Sequence, residues 1–331
     1  MKAAYFERTG APDVIQYGDL PDPTVGTGQV LIRNEAVALN PIDTYIRSGA
    51  IAMNLPLPYV PGCDLAGTIV EVGEGVTGFR SGDRVWATNQ GLLGRQGTFS
   101  ELSAVNAEWV YPIPDGVEAS TAAATALVGI TAHIGLSRAK IRSGETILVI
   151  GGAGGVGSMV VQMAKANGAQ VITTCGSDEK CQIAYDLGAD HTINYQRESI
   201  AGRTHELAPE GVNIFWETRR EPDFDVAIDL LAQRGRMVLM AGRDARPSFP
   251  VGAFYVKECS LHGFVMFKAT PDEMRVAADD INEWLANEQL KPRIGLRLPL
   301  SKAAEAHALQ EQATLEGTGE VSGKIILEIP S

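Results

Sequence analysis

The feature that most constrains the fold is a glycine-rich turn at residues 151–157, which reads Gly-Gly-Ala-Gly-Gly-Val-Gly. Gly152, Gly154 and Gly157 form the pattern GxGxxG within it. The turn follows an apolar run at 146–150 and opens an amphipathic segment at about 154–167. A predicted strand, the glycine pattern and a predicted helix therefore follow one another, and this order is typical of a βαβ unit that binds a dinucleotide.

The glycines of this turn have separate expected roles. Gly152 permits the tight turn, Gly154 lets the backbone approach a pyrophosphate, and Gly157 lets the helix pack closely on the strand. Free N–H groups at the start of the helix then face the anion. The alternative is a glycine-rich turn that holds no ligand. The predicted cofactor-binding residues of the turn are Gly152, Ala153, Gly154, Gly155, Val156 and Gly157.

Short apolar runs alternate with helical segments through the middle of the chain. After the run at 146–150, further strands are predicted at 170–174, 191–194, 212–216 and 236–240, with a helix at about 178–187. Apolar strands that alternate with helices predict a parallel sheet covered on both faces, which is a doubly wound α/β domain. We assign this dinucleotide-binding domain to residues 121–288.

Residues 1–120 have a different pattern, with short β-type runs separated by glycine and proline turns. Such spacing predicts a β-rich, barrel-like domain. Another strand is predicted near the C-terminus at 324–329, so residues 289–331 are expected to rejoin the β-rich domain. Two domains suit a chain of 331 residues at about 150 residues per domain.

The end of the second predicted strand bears on which dinucleotide binds. An NAD-binding unit usually places an acid there to accept hydrogen bonds from the ribose hydroxyls. This strand instead ends in Cys175-Gly176, and Asp178 comes later, where Ser177 can cap the next helix. Lys180 in the first turn of that helix opposes the helix dipole unless a phosphate binds there. We therefore predict NADPH, although a solvated surface lysine is the alternative for Lys180.

Charge and composition exclude several classes of function. The 28 basic and 40 acidic residues give a net charge of -12, which repels nucleic acid and anionic membranes. No run of 18 apolar residues predicts a membrane span, and residues 1–8 lack the apolar core of a signal peptide, so a cytoplasmic protein is expected. The four cysteines show neither CxxC nor zinc-ligand spacing and are expected to be free.

The chain resembles zinc-free medium-chain dehydrogenases/reductases of the quinone oxidoreductase (zeta-crystallin-like) family. The resemblance covers the whole chain and rests on motifs at 40–49, 61–67, 151–157 and 187–195. It implies a GroES-like barrel domain, a Rossmann domain and a homodimer joined through residues near 260–265. It also implies a small-molecule substrate, and the net charge of -12 argues against a nucleic-acid or membrane partner.

The same resemblance implies that no metal is bound. Zinc-dependent alcohol dehydrogenases of the superfamily carry a cysteine at the position of Asn40, a His-Glu pair at Cys63-Asp64 and another cysteine near Leu127. One sulfur cannot replace a catalytic site with three ligands. Oxidation of simple alcohols is therefore not expected, because nothing would polarise the alcohol oxygen as a Lewis acid.

The resemblance also assigns site residues. Lys180 and Tyr195 match residues that hold the 2′-phosphate of NADPH, with Gly176 and Ser177 beside them. Asn40 and Thr131 match positions near the nicotinamide, and Tyr45 could reach the substrate. Tyr195 and the last three residues each also have a purely structural interpretation. The rest of the cofactor groove is expected to be lined by Ala241, Gly242, Arg243, Gly263, Phe264 and Val265.

The expected activity is the NADPH-dependent transfer of hydride to quinones or α,β-unsaturated carbonyl compounds. Two alternatives stay open: an enoyl-thioester reductase of the same superfamily, and a non-catalytic NADPH-binding regulatory or structural protein. The charged loop that contains Arg219 and Arg220 departs from the usual family sequence. With Arg243 it could favour an anionic substrate, although a solvated arginine loop is the simpler interpretation.

Overall fold

The computed structural model describes residues 1–316 and 321–330, which fall into two compact units. The barrel unit comprises Met1–Leu127, Thr270–Glu288 and Pro292–Ser331. The sheet unit comprises Val128–Ala269 and Gln289–Lys291. Residues 317–320 and 331, which belong to the predicted segment 289–331, lie outside the described residues.

Strands and helices are numbered here in chain order. The strands are β1 (Lys2–Tyr5), β2 (Gln16–Asp19), β3 (Gln29–Leu39), β4 (Asp64–Val72), β5 (Arg84–Ala87), β6 (Leu102–Asn106), β7 (Val110–Pro112), β8 (Thr146–Ile150), β9 (Gln170–Cys175), β10 (His191–Asn194), β11 (Val212–Glu217), β12 (Leu231–Leu239), β13 (Ser260–Gly263), β14 (Ile294–Pro299) and β15 (Lys324–Glu328). The helices are α1 (Pro41–Ser48), α2 (Ala119–Ala139), α3 (Gly155–Ala166), α4 (Asp178–Asp186), α5 (Ile200–Leu207), α6 (Phe224–Leu230), α7 (Val251–Val256), α8 (Pro271–Ala286) and α9 (Ala303–Glu311).

The sheet unit contains a parallel sheet in the order β10-β9-β8-β11-β12-β13. Four of the five residues of β8 are buried, as its apolar sequence predicts for a central strand. Connections run outward in opposite directions from β8 and β11, so the two strands flank a topological switch point. The predicted doubly wound sheet is confirmed.

The barrel unit contains a sheet in the order β14-β15-β3-β4-β5-β7, with β6 also paired to β3. The long strand β3 is its centre, since β15, β4 and β6 all pair with it antiparallel. β15 therefore brings the end of the chain against β3, beside Asn40. The prediction that the C-terminal strand rejoins the β-rich domain is confirmed.

The boundary between the units differs from the predicted one. Residues 121–127 and 270–288 are predicted in the dinucleotide domain but cluster with the barrel unit, while residues 289–291, predicted in the barrel domain, cluster with the sheet unit. The reason for the second segment is the packing of α8. Its Asn282 side chain accepts a hydrogen bond from Trp86 Nε1 (3.0 Å) and donates one to the Pro112 carbonyl (2.9 Å). The Arg275 guanidinium lies 5.0 Å from the centroid of the Tyr111 ring.

Helix α2 is long and apolar enough to cross a membrane by length and composition. In the most apolar window of α2, 78% of the residues are buried inside the protein. A helix that is apolar on all sides and largely covered by its own protein is a core helix. The search for 18 uninterrupted apolar residues does not select α2, because serine, threonine, glycine, histidine and arginine residues interrupt its apolar sequence.

Candidate functional site

The glycine-rich turn adopts a conformation that depends on its glycines. Gly151 has φ of +79°, so the left-handed residue of the turn is Gly151, whereas the sequence prediction gave the tight turn to Gly152. A Cβ atom on Gly152 would lie 2.1 Å from Thr173 Oγ1, and one on Gly157 would lie 2.2 Å from the Gly151 carbonyl oxygen. Gly152 therefore allows contact with β9, and Gly157 allows α3 to approach the turn.

The middle of the same turn is open. Gly154 precedes α3 as its N-cap, and both Gly154 and Gly155 are exposed. The nearest atoms to Cβ atoms placed there would be 3.2 and 3.4 Å away. Ala153 and Val156 are partly buried in the same turn. The first N–H groups of α3 lack intrahelical partners, so this end of the helix suits a pyrophosphate.

A second group of residues lies where β9 ends, and we call Gly176, Ser177, Lys180 and Tyr195 the β9 corner. Ser177 caps α4, and its Oγ accepts a hydrogen bond from the Lys180 backbone N–H at 3.2 Å. The Tyr195 N–H donates to the Cys175 carbonyl (3.1 Å), which continues the pairing of β10 with β9. A Cβ atom on Gly176 would lie 2.4 Å from Tyr195 Oη. The predicted residues are therefore brought together, and the hydroxyl of Tyr195 lies over Gly176.

The charges of the β9 corner suit a phosphate. Among the described residues, none forms a hydrogen bond or salt bridge with the Lys180 ammonium, and β9 ends without a carboxylate. Asp178, the first acid after the end of β9, has a donor on each carboxylate oxygen. Asn194 Nδ2 donates to Oδ1 at 2.6 Å, and Arg197 Nη1 lies 2.7 Å from Oδ2.

The remaining predicted cofactor residues follow the carboxyl ends of β12 and β13. Ala241 and Arg243 are exposed, and Gly242 has φ of +86°, with its would-be Cβ 2.6 Å from the Arg220 carbonyl oxygen. Gly263 ends β13. The Phe264 ring meets Trp216 edge-on with 6.4 Å between centroids, while the next residue, Val265, is 42% exposed. Carboxyl ends of parallel strands share one edge, so these residues lie on the same edge as the glycine turn.

The arginine loop after β11 is partly neutralised. Glu217 is fully buried, and both of its carboxylate oxygens accept hydrogen bonds from the Arg219 guanidinium at 2.7–3.2 Å. The backbone N–H of Arg219 also donates to Glu217 Oε1 (2.9 Å). Thr218 Oγ1 donates to the Ile150 carbonyl at 2.6 Å and so ties the loop to the end of β8. Arg219 therefore holds the loop in place, and its charge is already compensated.

The three predicted catalytic residues lie in different units. Thr131 lies on α2 in the sheet unit and is buried. Asn40 is the N-cap of α1 in the barrel unit, and Tyr45 is a partly buried residue of the same helix. Asn40 has no exposed surface. Its backbone N–H donates to Asp43 Oδ2 at 2.8 Å, which fixes the start of α1.

Asn40 belongs to a buried polar cluster that we call the lysine network: Asn40, Asp43, Cys63, Asp64, Thr88 and Lys324. Lys324 Nζ donates to the Leu39 carbonyl (2.8 Å) and to Asn40 Oδ1 (2.5 Å), and it lies 3.9 Å from Asp64 Oδ2. Asn40 Nδ2 donates to Asp64 Oδ2 at 2.8 Å, and Thr88 Oγ1 donates to Asp64 Oδ1 at 2.6 Å. Both ends of the Asn40 amide are thus engaged within the unit.

The electrostatics of the lysine network follow from its burial. Burial raises the pKa of the Asp43 carboxyl to about 7, although the Asn40 N–H and the Cys63 thiol donate to it. Burial also raises the pKa of Asp64, and the nearby Lys324 ammonium opposes that rise. For Lys324 itself, burial lowers the pKa and the two acids oppose the change. The ammonium and the Asp64 carboxylate therefore compensate each other's charge.

These residues do not fit a zinc ion. The positions that carry zinc ligands in metal-dependent relatives hold an amide, a thiol beside a carboxylate, and a leucine. Burial raises the pKa of the Cys63 thiol well above its ordinary value, which disfavours the thiolate that binds zinc. Lys324 already places a positive charge in contact with Asn40 and Asp64. A divalent cation there would meet like charge.

Residues 26–115 match the family model described as "Alcohol dehydrogenase GroES-like domain", and residues 155–283 match the model described as "Zinc-binding dehydrogenase". The chain is 33% identical over 330 residues to the quinone oxidoreductase of Rattus norvegicus, covering 99% of this chain and 97% of the relative. The chain belongs to the quinone oxidoreductase family of the medium-chain dehydrogenases/reductases.

Solved structures of the family superpose along the whole chain. The Escherichia coli quinone oxidoreductase complexed with NADPH has a TM-score of 0.86 at 28% identity and covers 99% of this chain and 100% of its own. A structure described as an NAD-dependent alcohol dehydrogenase has a TM-score of 0.88 at 30% identity, with both chains fully covered. Family membership therefore makes this chain an oxidoreductase, while its cofactor has to be argued from its own residues.

Sequence reasoning missed several residues that shape the site. Gly151 carries the left-handed conformation, and Lys324 supplies the buried cation. Arg197 and Asn194 engage the acid beside the β9 corner. Only Gly151 left a signal in the sequence, because it begins the glycine run. The others act through contacts between segments that sequence patterns do not pair.

Proposed function

We propose that this protein is an NADPH-dependent reductase that transfers hydride to quinones or α,β-unsaturated carbonyl compounds without a metal. The observation that carries the proposal is the composition of the β9 corner. A lysine ammonium without a protein partner among the described residues and a tyrosine hydroxyl over Gly176 lie at a strand end that lacks a carboxylate. This arrangement suits the 2′-phosphate of NADPH and offers nothing specific to the ribose diol of NADH.

The residues of the sheet unit would hold the cofactor along the strand ends. The N-terminus of α3 at Gly154 and Gly155 would face the pyrophosphate, and Lys180 with Tyr195 would hold the 2′-phosphate. When bound, NADPH supplies the hydride, and the protein supplies position and exclusion of water. The rat and Escherichia coli relatives, named as quinone oxidoreductases, support a quinone as the acceptor.

The barrel unit would support the acceptor side of the site. Because its amide is committed to Lys324 and Asp64, we assign Asn40 a positioning role at the start of α1. Reduction of an enone or quinone leaves an enolate or hydroquinone anion, which must gain a proton. Tyr45, one turn along α1, is our proposed donor, with water as the alternative. Thr131 is proposed to line the nicotinamide side from α2.

The test is an acceptor panel with the chelator-treated protein. Loss of NADPH absorbance is followed with para-benzoquinone, crotonaldehyde, crotonyl-CoA and buffer alone, and ethanol with NAD⁺ serves as the alcohol dehydrogenase control. We expect turnover with the quinone or the enal that chelation leaves unchanged. Turnover of crotonyl-CoA alone would support the enoyl-thioester alternative. Turnover of ethanol, or no turnover at all, would contradict the proposal.

The proposal includes a homodimer. β13 is the edge strand of the parallel sheet, and Ser260, Leu261 and Gly263 are exposed on it. Exposed edge strands present unpaired backbone groups, which a second copy of the strand can satisfy. The cytoplasmic location stays a prediction from the sequence.

A further inference from the structure

Asp178 presents an electrostatic problem for the proposed function. It is the first residue of α4 and lies two positions beyond Gly176 and two before Lys180. An acid there stabilises the helix dipole, but an uncompensated carboxylate beside the β9 corner would repel a 2′-phosphate. The same helix start would thus both attract and repel the cofactor.

The structure resolves this conflict through the turn that follows β10. That turn begins at Asn194, whose Oδ1 accepts a hydrogen bond from the Gln196 N–H at 3.1 Å. Asn194 is therefore fixed with Nδ2 directed at Asp178 Oδ1 (2.6 Å). The Arg197 N–H donates to the Asn194 carbonyl at 2.9 Å, and its guanidinium reaches the other oxygen, Oδ2, at 2.7 Å.

We propose that Arg197 is a positioning residue for cofactor specificity: it neutralises Asp178 and so lets the β9 corner accept a 2′-phosphate. The inference rests on the proposed function, because it concerns the phosphate that distinguishes NADPH from NADH. Tyr195 lies two residues earlier in the same turn, so this turn supplies both a hydroxyl to the corner and the cation that neutralises its acid.

The geometry separates this role from simple helix stabilisation. Arg197 and Asp178 are 70% and 60% exposed, so their ion pair adds little to folding stability in water. The ion pair matters more for a bound 2′-phosphate, because loss of the Arg197 guanidinium leaves the Asp178 carboxylate as an uncompensated negative charge near the phosphate. An exposed charge of this kind changes affinity by about fivefold at most, given the usual strength of such pairs.

The test measures binding without turnover. Calorimetric titrations with 2′,5′-ADP and 5′-AMP compare the adenosine half of the cofactor with and without the 2′-phosphate. For Arg197→Gln we expect 2′,5′-ADP affinity to fall about three- to fivefold while 5′-AMP affinity stays unchanged. The loss should shrink at high salt, since exposed charges are screened. No change, or an equal loss for both ligands, would overturn the inference.

A second variant tests whether Arg197 acts through Asp178. In the double variant Arg197→Gln/Asp178→Asn, the preference for 2′,5′-ADP should return to within about twofold of the wild-type value. If the double variant stays as weak as the single one, Arg197 does not act through the acid and the assignment is wrong. Glu179→Gln is the matched control for removing an acid, and we expect it not to rescue Arg197→Gln.

The lost cation needs a matched control outside the turn that carries Arg197. Arg203 pairs with Glu206 and also with Glu198 of the turn after β10, so Arg297→Gln, which removes an exposed ion pair with Glu328 in the barrel unit, is the control used in its place. This variant should leave the ratio of the two affinities unchanged, and a shift equal to that of Arg197→Gln would mean that net charge alone is responsible. A wild type that binds 2′,5′-ADP no better than 5′-AMP would refute the proposed cofactor. A wild-type preference with an unaffected Arg197→Gln variant would refute only this inference.

Discussion

Replacing Lys324 by methionine is expected to destabilise the barrel unit by about 3–5 kcal/mol, because one partner of a buried ion pair is removed. Methionine keeps most of the length and apolar surface of the side chain. The change leaves Asp64, which has no exposed surface, without its nearest positive charge. It also removes the donor to the Leu39 carbonyl and to Asn40 Oδ1, and each buried acceptor left without a donor costs about 1–3 kcal/mol.

The destabilisation caused by Lys324→Met should depend on pH, and the titration of Asp64 determines the direction of that dependence. Burial raises the pKa of Asp64 and Lys324 opposes that rise, so the methionine variant has a still higher Asp64 pKa. A carboxyl whose pKa is raised on folding stabilises the protein at low pH and loses that contribution as the pH rises through its folded pKa. The difference in unfolding free energy between wild type and Lys324→Met should therefore be larger at pH 8 than at pH 5.

The assay is urea unfolding, followed through tryptophan fluorescence and compared with circular dichroism because the two units can unfold separately. The double variant Lys324→Met/Asp64→Asn removes the unpaired charge and should recover about 2 kcal/mol relative to the single variant. Lys302→Met, which removes an exposed ion pair with Glu305, should cost less than about 1 kcal/mol. A Lys324→Met variant within 1 kcal/mol of wild type, or a double variant no more stable than the single one, would refute the reasoning.

Three further predictions concern the cofactor corner, pH stability and assembly. Gly176→Ala should weaken 2′,5′-ADP binding but not 5′-AMP binding in titrations, because the new Cβ displaces Tyr195 Oη; unchanged affinity for 2′,5′-ADP would contradict this. Burial lowers the pKa of His307 to about 3, so as the pH drops below about 6.5 only the unfolded state takes up the proton and the wild type loses stability. His307→Leu should therefore lose about 1–2 kcal/mol less unfolding free energy than the wild type between pH 7 and 5. Parallel pH profiles of the two proteins in urea titrations would contradict this. Light scattering should give a dimer, and a 35.3 kDa species alone at micromolar concentration would refute the assembly through β13.

Most of the parallel sheet was predictable because its strands are defined by local sequence. The exceptions are β12, which begins five residues before the predicted run at 236–240, and β13, for which local sequence predicted no strand. β8 begins and ends at the apolar run 146–150, and β10 coincides with the strand predicted at 191–194, in which only Ile193 is apolar. Buried strands of a parallel sheet read as continuous apolar runs, and glycine or helix-capping residues mark their ends. The glycine turn was predictable for the same reason. Local sequence could not show which residue is left-handed, because four of the five residues at 151–155 are glycine, and the structure places this conformation at Gly151.

The domain boundary was not predictable from local pattern. α8 follows β13 after a short connection, just as helices follow strands throughout the sheet unit. Its sequence carries a capping box at Thr270 and Glu273 and an apolar face, both of which suit any core helix. Only the partners of that face, Trp86 and Tyr111, show that the helix belongs to the barrel unit.

The lysine network was hidden for a related reason. Lys324 opens an apolar strand, where a lysine usually marks an exposed strand end, and its partner Asn40 is 284 residues away in sequence. The motifs at Asn40 and Cys63-Asp64 showed that zinc ligands are missing but could not show what replaces them. Burial and register decide this, because β15 pairs with β3 so that Lys324 lies beside the end of β3.

The most direct test of the central claim is the ratio of kcat/KM for NADPH to that for NADH with a quinone acceptor. A charge-assisted hydrogen bond contributes about 1.5–3 kcal/mol, which corresponds to one to two decades in affinity. We predict that the wild type prefers NADPH by at least about tenfold and that Lys180→Ala loses most of this preference while its NADH activity changes little. A wild type that prefers NADH, or a Lys180→Ala variant that loses both activities equally, would contradict the account of the β9 corner.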